Sequence, residues 1–134
     1  MTRDVEGKEV IATGSNNDYQ VWYENVKYLS AGYAVSQLTW TVYYKWITNC
    51  NNVIKNAGAN NYAGPPADKK VGTGIAYAMR AMFYLDLVRM YASKPYIVDH
   101  NALTTIKADE NRTIEEAIHQ ERMKWDEAFE FILK

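Results

Sequence analysis

The sequence predicts an all-α domain built mainly from helices of about twenty residues. Three segments, near residues 36–56, 73–92 and 113–132, repeat apolar residues at steps of three and four, which is the period of a helix with a buried face. No segment shows an alternating strand pattern of comparable strength. The chain has 134 residues, of which 48% are apolar and 23% charged, so it has the size and composition of one globular domain.

The N-terminal region is the least regular part of the sequence. Residues 1–18 are polar and show no sustained period, which predicts irregular chain. Residues 22–29 carry apolar side chains at helical spacing, enough for a short helix that Gly32 would end. We therefore divide the chain into an irregular N-terminal segment, residues 1–35, and a helical domain, residues 36–134.

The first long helix is predicted over residues 36–56. Its apolar stripe contains Trp40, Tyr43, Tyr44, Ile47, Cys50 and Ile54. Residues 57–61 end the helix, and the run through two prolines to Gly72 predicts a long surface loop. Cys50 lies on the stripe with no base beside it, so we interpret it as a small core residue rather than a nucleophile.

The second helix, residues 73–92, is apolar on nearly all sides, and such helices usually lie between others. Pro95 follows its end, and the residue before a proline is disfavoured in helical geometry. A third helix is predicted to open at Thr113, which is spaced from Glu116 as a capping box. Its apolar stripe consists of Ile114, Ile118, Trp125, Ala128, Phe129 and Ile132.

Motifs for catalysis, metal binding and nucleotide binding are missing from the sequence. His100 and His119 are far apart, and no second histidine follows one turn after His119, as a zinc helix needs. Neither a Gly-x-Ser-x-Gly elbow nor a phosphate-binding Gly-Lys-Ser or Gly-Lys-Thr loop is present. Adjacent Glu115 and Glu116 point about 100° apart on a helix, so we interpret them as first-turn acids that favour the helix dipole. We predict a protein that is not an enzyme and needs no metal or cofactor.

Two charged residues of the second helix, Arg80 and Asp86, are interpreted as structural. Arg80 and Asp86 lie in the most apolar helix, where a charge must find a partner or reach solvent. We predict that they form an ion pair or a helix-end hydrogen bond rather than contact a ligand.

The overall charge argues against polyanionic partners, and the aromatic content permits binding of a ligand. The 15 basic and 16 acidic residues give a net charge of −1, which predicts no nucleic-acid partner and no attraction to an anionic membrane. No run of about eighteen apolar residues occurs, so we expect the chain as given to be soluble. The 11 Tyr and 4 Trp against 3 Phe suit both half-buried helix contacts and recognition of partly polar ligands.

Residues 78–91, AMRAMFYLDLVRMY, followed by KPYIV at 94–98, resemble the SusD/RagB family of outer-membrane nutrient-binding lipoproteins. The family typically has an Arg-Ala pair, aromatic residues, a Leu-Val-Arg-like turn and then a Pro with apolar followers. The upstream helix, with Trp40, Tyr43, Tyr44, Ile47, Asn51 and Ile54, is similar to the family's preceding helix, which carries Asn near its end. The resemblance covers residues 36–134. The sequence departs from the family at Ala92 and Ser93, where a Gly is usual, and in its lack of an N-terminal lipidated Cys. Family members are several hundred residues long, so we expect a fragment or a shortened relative.

The resemblance implies helix pairs of tetratricopeptide type that form a scaffold against a TonB-dependent outer-membrane porin of SusC type. It implies a non-catalytic subunit for polysaccharide uptake, lipid-anchored in the parent protein and exposed at the cell surface, with a glycan held on loops. By position, the family's sugar-facing loop falls on residues 18–25. Trp22 and Tyr23 would stack on sugar faces there, and Asp18 and Asn25 would bond hydroxyl groups.

Two other functional interpretations remain open. One is a tetratricopeptide-like docking module whose ligand is a protein; a clean 34-residue repeat would favour it, and the sequence has none. The other is a small helical enzyme, which requires a titratable cluster that the sequence does not supply. A truncated helical repeat also exposes the face that its missing neighbour would cover, which predicts self-association through that face.

Overall fold

The computed structural model describes residues 32–113, 115, 116 and 120–134. Within these residues the chain is mostly helical and contains a small antiparallel sheet. The elements in chain order are α1 (Ala34–Gly58), α2 (Pro66–Tyr91), β1 (Leu103–Ile106), β2 (Arg122–Lys124) and α3 (Trp125–Ile132). The prediction of a helix-dominated chain is confirmed, but the sequence analysis missed the sheet.

The chain divides into two compact units, residues 1–42 and 43–134, with the boundary inside α1. The described part of the first unit is the beginning of α1 together with the two residues before it. The predicted short helix at residues 22–29 lies outside the described residues. The predicted division after residue 35 therefore stays a prediction.

The first helix agrees closely with its prediction. It begins at Ala34 and ends at Gly58, so residues 57–61 end it as expected. Asn60 adopts a φ of 54°, a left-handed conformation that asparagine tolerates better than most residues and that turns the chain away from the helix. Ile47 and Ile54 are buried and Cys50 is half-buried, which places the predicted stripe on the packed face of the helix.

The second helix begins earlier than predicted. It starts at Pro66, with Pro65 at the N-cap, so the predicted long loop shortens to residues 59–65. A proline in the first turn lacks only an N–H that the helix leaves unpaired anyway, and its fixed φ suits a helix start. Gly72 and Gly74 lie inside the helix, where each costs about 1 kcal/mol relative to alanine without breaking the helix.

Only one side of α2 is packed. Its buried residues are Ala76, Arg80, Phe83, Tyr84, Leu87 and Val88. Apolar residues on another side are exposed, including Val71 and Ile75 at 61% and 58%, and Met79 and Met82 at 38% and 47%. The expectation that other helices enclose α2 is therefore wrong for the side that carries these four residues.

The part of α1 that belongs to the second unit contacts α2. As the chain advances along α1, its partners move backwards along α2. The side-chain contacts join Tyr44 to Tyr84, Asn51 to Arg80, and Asn60 to Lys69. Tyr43 adds an edge-on ring contact with Phe83, at 5.8 Å between ring centroids.

The sheet replaces part of the predicted third helix. Strands β1 and β2 pair in antiparallel register, and Thr104 Oγ1 donates a hydrogen bond of 2.8 Å to Met123 O. Met123 is buried between two exposed residues of β2, which is the period-two alternation of a strand. The sequence analysis counted the apolar residues on both sides of this stretch as one helical stripe and so missed the alternation.

The predicted continuous helix over 113–132 is therefore wrong, although both of its ends are helical. The capping box is confirmed: the Thr113 N–H donates to Glu116 Oε2 at 2.9 Å, and the Glu116 N–H donates to Thr113 Oγ1 at 3.3 Å. Helix α3 begins only at Trp125, whose indole N–H donates to Lys94 O at 2.8 Å. Phe131 packs edge-on against Tyr84 at 5.0 Å, which joins α3 to α2.

Candidate functional site

A buried arginine joins the two long helices to the segment after β1. Arg80 on α2 is 7% exposed, and its Nη1 donates a 2.9 Å hydrogen bond to Asn51 Oδ1 on α1. The same Nη1 lies 2.6 Å from Glu110 Oε2, in an ion pair whose side chains are 8% and 21% exposed. A buried guanidinium needs such partners because an unpaired charge away from water is strongly unfavourable.

Hydrogen bonds from the helices extend this network along the backbone of the same segment. Asn51 Nδ2 donates to Ala108 O at 2.8 Å, and the Tyr84 hydroxyl donates to the same oxygen at 3.2 Å. The Tyr84 oxygen also accepts the Ala108 N–H at 2.7 Å, while the Tyr44 hydroxyl donates to Ile106 O at 2.7 Å. Burial raises the pKa of both tyrosine hydroxyls above the ordinary value, so they remain protonated donors at neutral pH.

Aromatic rings surround the buried arginine. The guanidinium carbon lies 5.0 Å from the Tyr77 ring centroid and 5.4 Å from that of Phe131, within the range of cation–π attraction. A cavity of about 240 Å³ adjoins these rings. Since Glu110 and Asn51 already engage Arg80, we interpret this network as structural. Its effect is to fix the segment around Ala108 against the helix pair.

The prediction of a structural ion pair is confirmed for Arg80, for which the sequence named no partner. Arg80 pairs with Glu110, 30 residues further along the chain, and not with Asp86 on its own helix. Asp86 accepts a 3.1 Å hydrogen bond from the Tyr43 hydroxyl of α1.

The segment held by the arginine network forms one side of an open depression of about 480 Å³, which we call the polar depression. Its described lining residues all have polar side chains: Lys107, Asp109, Asn111, Arg112, Glu116 and Gln120. The first four precede the capping box, Glu116 belongs to it, and Gln120 comes four residues later in the sequence. Amide, carboxylate and cationic groups in one concave surface can both donate and accept hydrogen bonds to a ligand.

The charges in the polar depression balance. Lys107 Nζ lies 3.2 Å from Asp109 Oδ2, so one cation is paired within the lining. Hydrogen bonds from Thr113, through its backbone N–H and its side chain, hold the pKa of Glu116 below its usual range, and the carboxylate is ionised at neutral pH. Gln120 Oε1 is buried and has no hydrogen-bond partner among the described residues.

The four residues predicted from the sequence to bind sugar, Asp18, Trp22, Tyr23 and Asn25, lie outside the described residues. Their role stays a prediction. Of the histidines, His119 also lies outside them, and His100 stacks on Tyr96 with 3.9 Å between ring centroids.

The sequence analysis did not single out the polar depression. A signal was present, because four of the six residues from Lys107 to Arg112 are its lining side chains. Of that stretch, only Asn111 and Arg112 were interpreted, as part of the opening of the third helix. The contribution of Gln120 could not be predicted, because it depends on the turn back toward β2.

The described part of the chain has neither a metal-binding cluster nor a membrane-spanning helix. It contains no group of three or more His, Cys, Asp or Glu residues placed to hold a metal ion. No helix within it combines the length and the apolar character needed to cross a membrane. Comparison of the chain with family models, curated proteins and solved structures found no match.

Proposed function

We propose that this chain is the helical scaffold of a non-catalytic, glycan-binding subunit of an outer-membrane nutrient uptake complex. Its main support is the resemblance of residues 36–134 to the SusD/RagB family. The observation that carries the proposal is the 2.9 Å hydrogen bond between Arg80 and Asn51. Asn51 belongs to one of the two helical motifs on which the resemblance rests and Arg80 to the other, so this hydrogen bond joins the two motifs.

The proposal extends to the arrangement of the helices and the place of the protein in the cell. A tetratricopeptide-like scaffold requires antiparallel helix pairs, and the contacts of Asn51 with Arg80 and of Tyr44 with Tyr84 support one such pair. In the parent protein we place the scaffold at the outer membrane, surface-exposed and lipid-anchored, beside a TonB-dependent porin. The chain's own contribution to uptake is capture of the glycan rather than its cleavage.

Capture needs hydrogen bonds to sugar hydroxyls and stacking on sugar faces, not a titrating acid and base. Tyr84 of α2 serves the core: it is fully buried, and its ring contacts those of Tyr44 and Phe131. Following the resemblance, we assign binding to loops outside the two helices. Asp18, Trp22, Tyr23 and Asn25 are the stacking and hydroxyl-bonding residues of the proposal.

Retardation of the full chain in native gels cast with soluble polysaccharides tests this function. We expect at least one glycan to slow the chain and Trp22→Ala to reduce the retardation. Unchanged retardation of Trp22→Ala would remove the loop assignment, and migration unaffected by every polysaccharide would contradict glycan capture.

A second candidate function, protein docking, is favoured by the exposed apolar side of α2. Val71, Ile75, Met79 and Met82 recur at helical spacing and are all exposed. The occupant we propose for this face is a second copy of the chain, because an apolar face of one helix can bury its counterpart across a two-fold axis. Light scattering should show dimers that Met82→Lys disrupts; a monomer at high concentration would contradict self-association.

A further inference from the structure

The polar depression combines a concave shape with a polar lining. Its volume of about 480 Å³ lies within the 300–1,000 Å³ range typical of small-molecule sites. Asn51 and Tyr84 bind Ala108, while Arg80 binds Glu110, so the backbone beside Lys107 and Asp109 is attached to both long helices. Sites supported by such contacts keep their geometry better than sites on untethered loops.

We propose that the polar depression is a ligand site and that it takes a neutral, polyhydroxylated molecule, such as the uncharged residues of a saccharide. The inference rests on the proposed glycan-binding function and names the site and the charge class of the glycan. It adds a second contact region to the one predicted at Trp22 and Tyr23.

The charge balance of the lining selects against ionic ligands. Two cations, Lys107 and Arg112, lie among two carboxylates, Asp109 and Glu116. A carboxylated or sulfated ligand would be attracted by the two cations but repelled by the two carboxylates. A cationic ligand would be attracted by the carboxylates but repelled by the cations. Hydroxyl groups both donate and accept hydrogen bonds, so a polyol suits a lining of cationic, carboxylate and amide groups without adding a charge.

A buried acceptor adds a specific requirement for a donor. Gln120 Oε1 is buried without a hydrogen-bond partner among the described residues. Such atoms are rare in proteins, because burial removes their hydrogen bonds to water and no protein group takes the place of the water. A ligand hydroxyl in the depression would donate to this oxygen. Asn111, an exposed residue of the same lining, offers a planar amide that can bond two neighbouring hydroxyls at once.

The test uses the full chain in native affinity gels with two panels of polysaccharide. Soluble starch, mixed-linkage β-glucan and galactomannan form the neutral panel; polygalacturonate and alginate form the acidic one. Asn111→Ala and Gln120→Ala probe the depression. Asn52→Ala, which changes an exposed asparagine of α1, is the matched control, and urea unfolding checks that each variant is folded. We expect a neutral glycan to bind, and each depression variant to weaken it about tenfold, the effect of one lost ligand hydrogen bond.

The outcomes separate the site from the function. Retardation by a neutral glycan that Asn111→Ala and Gln120→Ala leave unchanged would overturn the depression while the proposed function stands. Binding confined to the acidic panel would overturn the neutral ligand class and still support glycan capture. No retardation by either panel would overturn both. If Gln120→Ala does not fold, the exposed Asn111→Ala alone decides the role of the depression.

Discussion

Replacing Arg80 by methionine should destabilise the fold far more than the same change at an exposed arginine. Methionine retains much of the apolar stem but removes the donor to Asn51 and the counterion of Glu110. Breaking a buried ion pair on one side costs roughly 3–5 kcal/mol. The Glu110 side chain is 21% exposed and regains some hydration, so the low end of that range applies.

We therefore expect Arg80→Met to lower the free energy of unfolding by roughly 3 kcal/mol. With a urea dependence of roughly 1.5 kcal/mol per molar, the unfolding midpoint should fall by about 2 M. Circular dichroism at the helix band during urea titration measures this shift. Arg89→Met is the control on the same helix, where the arginine is exposed and a change of at most about 0.5 kcal/mol is expected.

A double-mutant cycle isolates the ion pair from the rest of the network. Glu110→Gln leaves the Arg80 charge buried without its counterion, so it should also lower the free energy of unfolding. The decrease in the double variant should be about 1–3 kcal/mol smaller than the sum of the decreases in the two single variants. A loss below about 1 kcal/mol for Arg80→Met, or strictly additive losses, would refute the argument that this ion pair holds the segment after β1 to the helices.

Three further predictions concern residues of the two long helices. Gly72→Ala and Gly74→Ala should each raise the free energy of unfolding by about 0.5–1 kcal/mol, because an added Cβ meets no atom within 4 Å in α2; a lower urea midpoint would contradict this. Burial raises the pKa of Tyr44 and Tyr84 above the unfolded value of about 10, so the stability they contribute as neutral phenols is complete below pH 10 and is lost as the pH rises further. Unfolding free energies measured from pH 9 to 11 should fall by up to about 1.4 kcal/mol per pH unit for each tyrosine. If a Tyr44→Phe/Tyr84→Phe variant lost stability with pH as steeply as the original chain, these two tyrosines would not be the cause. Burial also raises the pKa of the Cys50 thiol, so a disulfide reagent at pH 8 should label the native chain several-fold more slowly than the urea-unfolded chain, and equal rates would exclude protection by the fold.

Local signals in the sequence were enough to predict the long helices but not all of their limits. The three- and four-residue spacing in residues 36–56 placed α1 within two residues of each observed end. The start of α2 was misplaced because Pro66 and Gly72 were counted as helix breakers. Proline is compatible with a first turn, and the packed face further along α2 outweighs the cost of two glycines.

The sheet and the polar depression depend on contacts between residues distant in sequence. Strand β2 is three residues long, too short for its alternation to stand out beside the strong helical spacing of Trp125 and the residues after it. Similarly, the sequence indicated that Arg80 needs a partner but could not identify Glu110, because that pairing requires the chain to return across the helix pair.

The hydrogen bonds that fix Ile106 and Ala108 also affect how this small sheet meets other chains. A two-stranded ribbon is marginally stable alone, and its unpaired backbone groups invite pairing with strands of neighbouring molecules. Here the Tyr44, Tyr84 and Asn51 side chains occupy the carbonyls of Ile106 and Ala108 and the N–H of Ala108. Side chains of the helices thus occupy positions that a third strand would otherwise take, and an incoming strand would have to break these bonds before it could extend the sheet at this point.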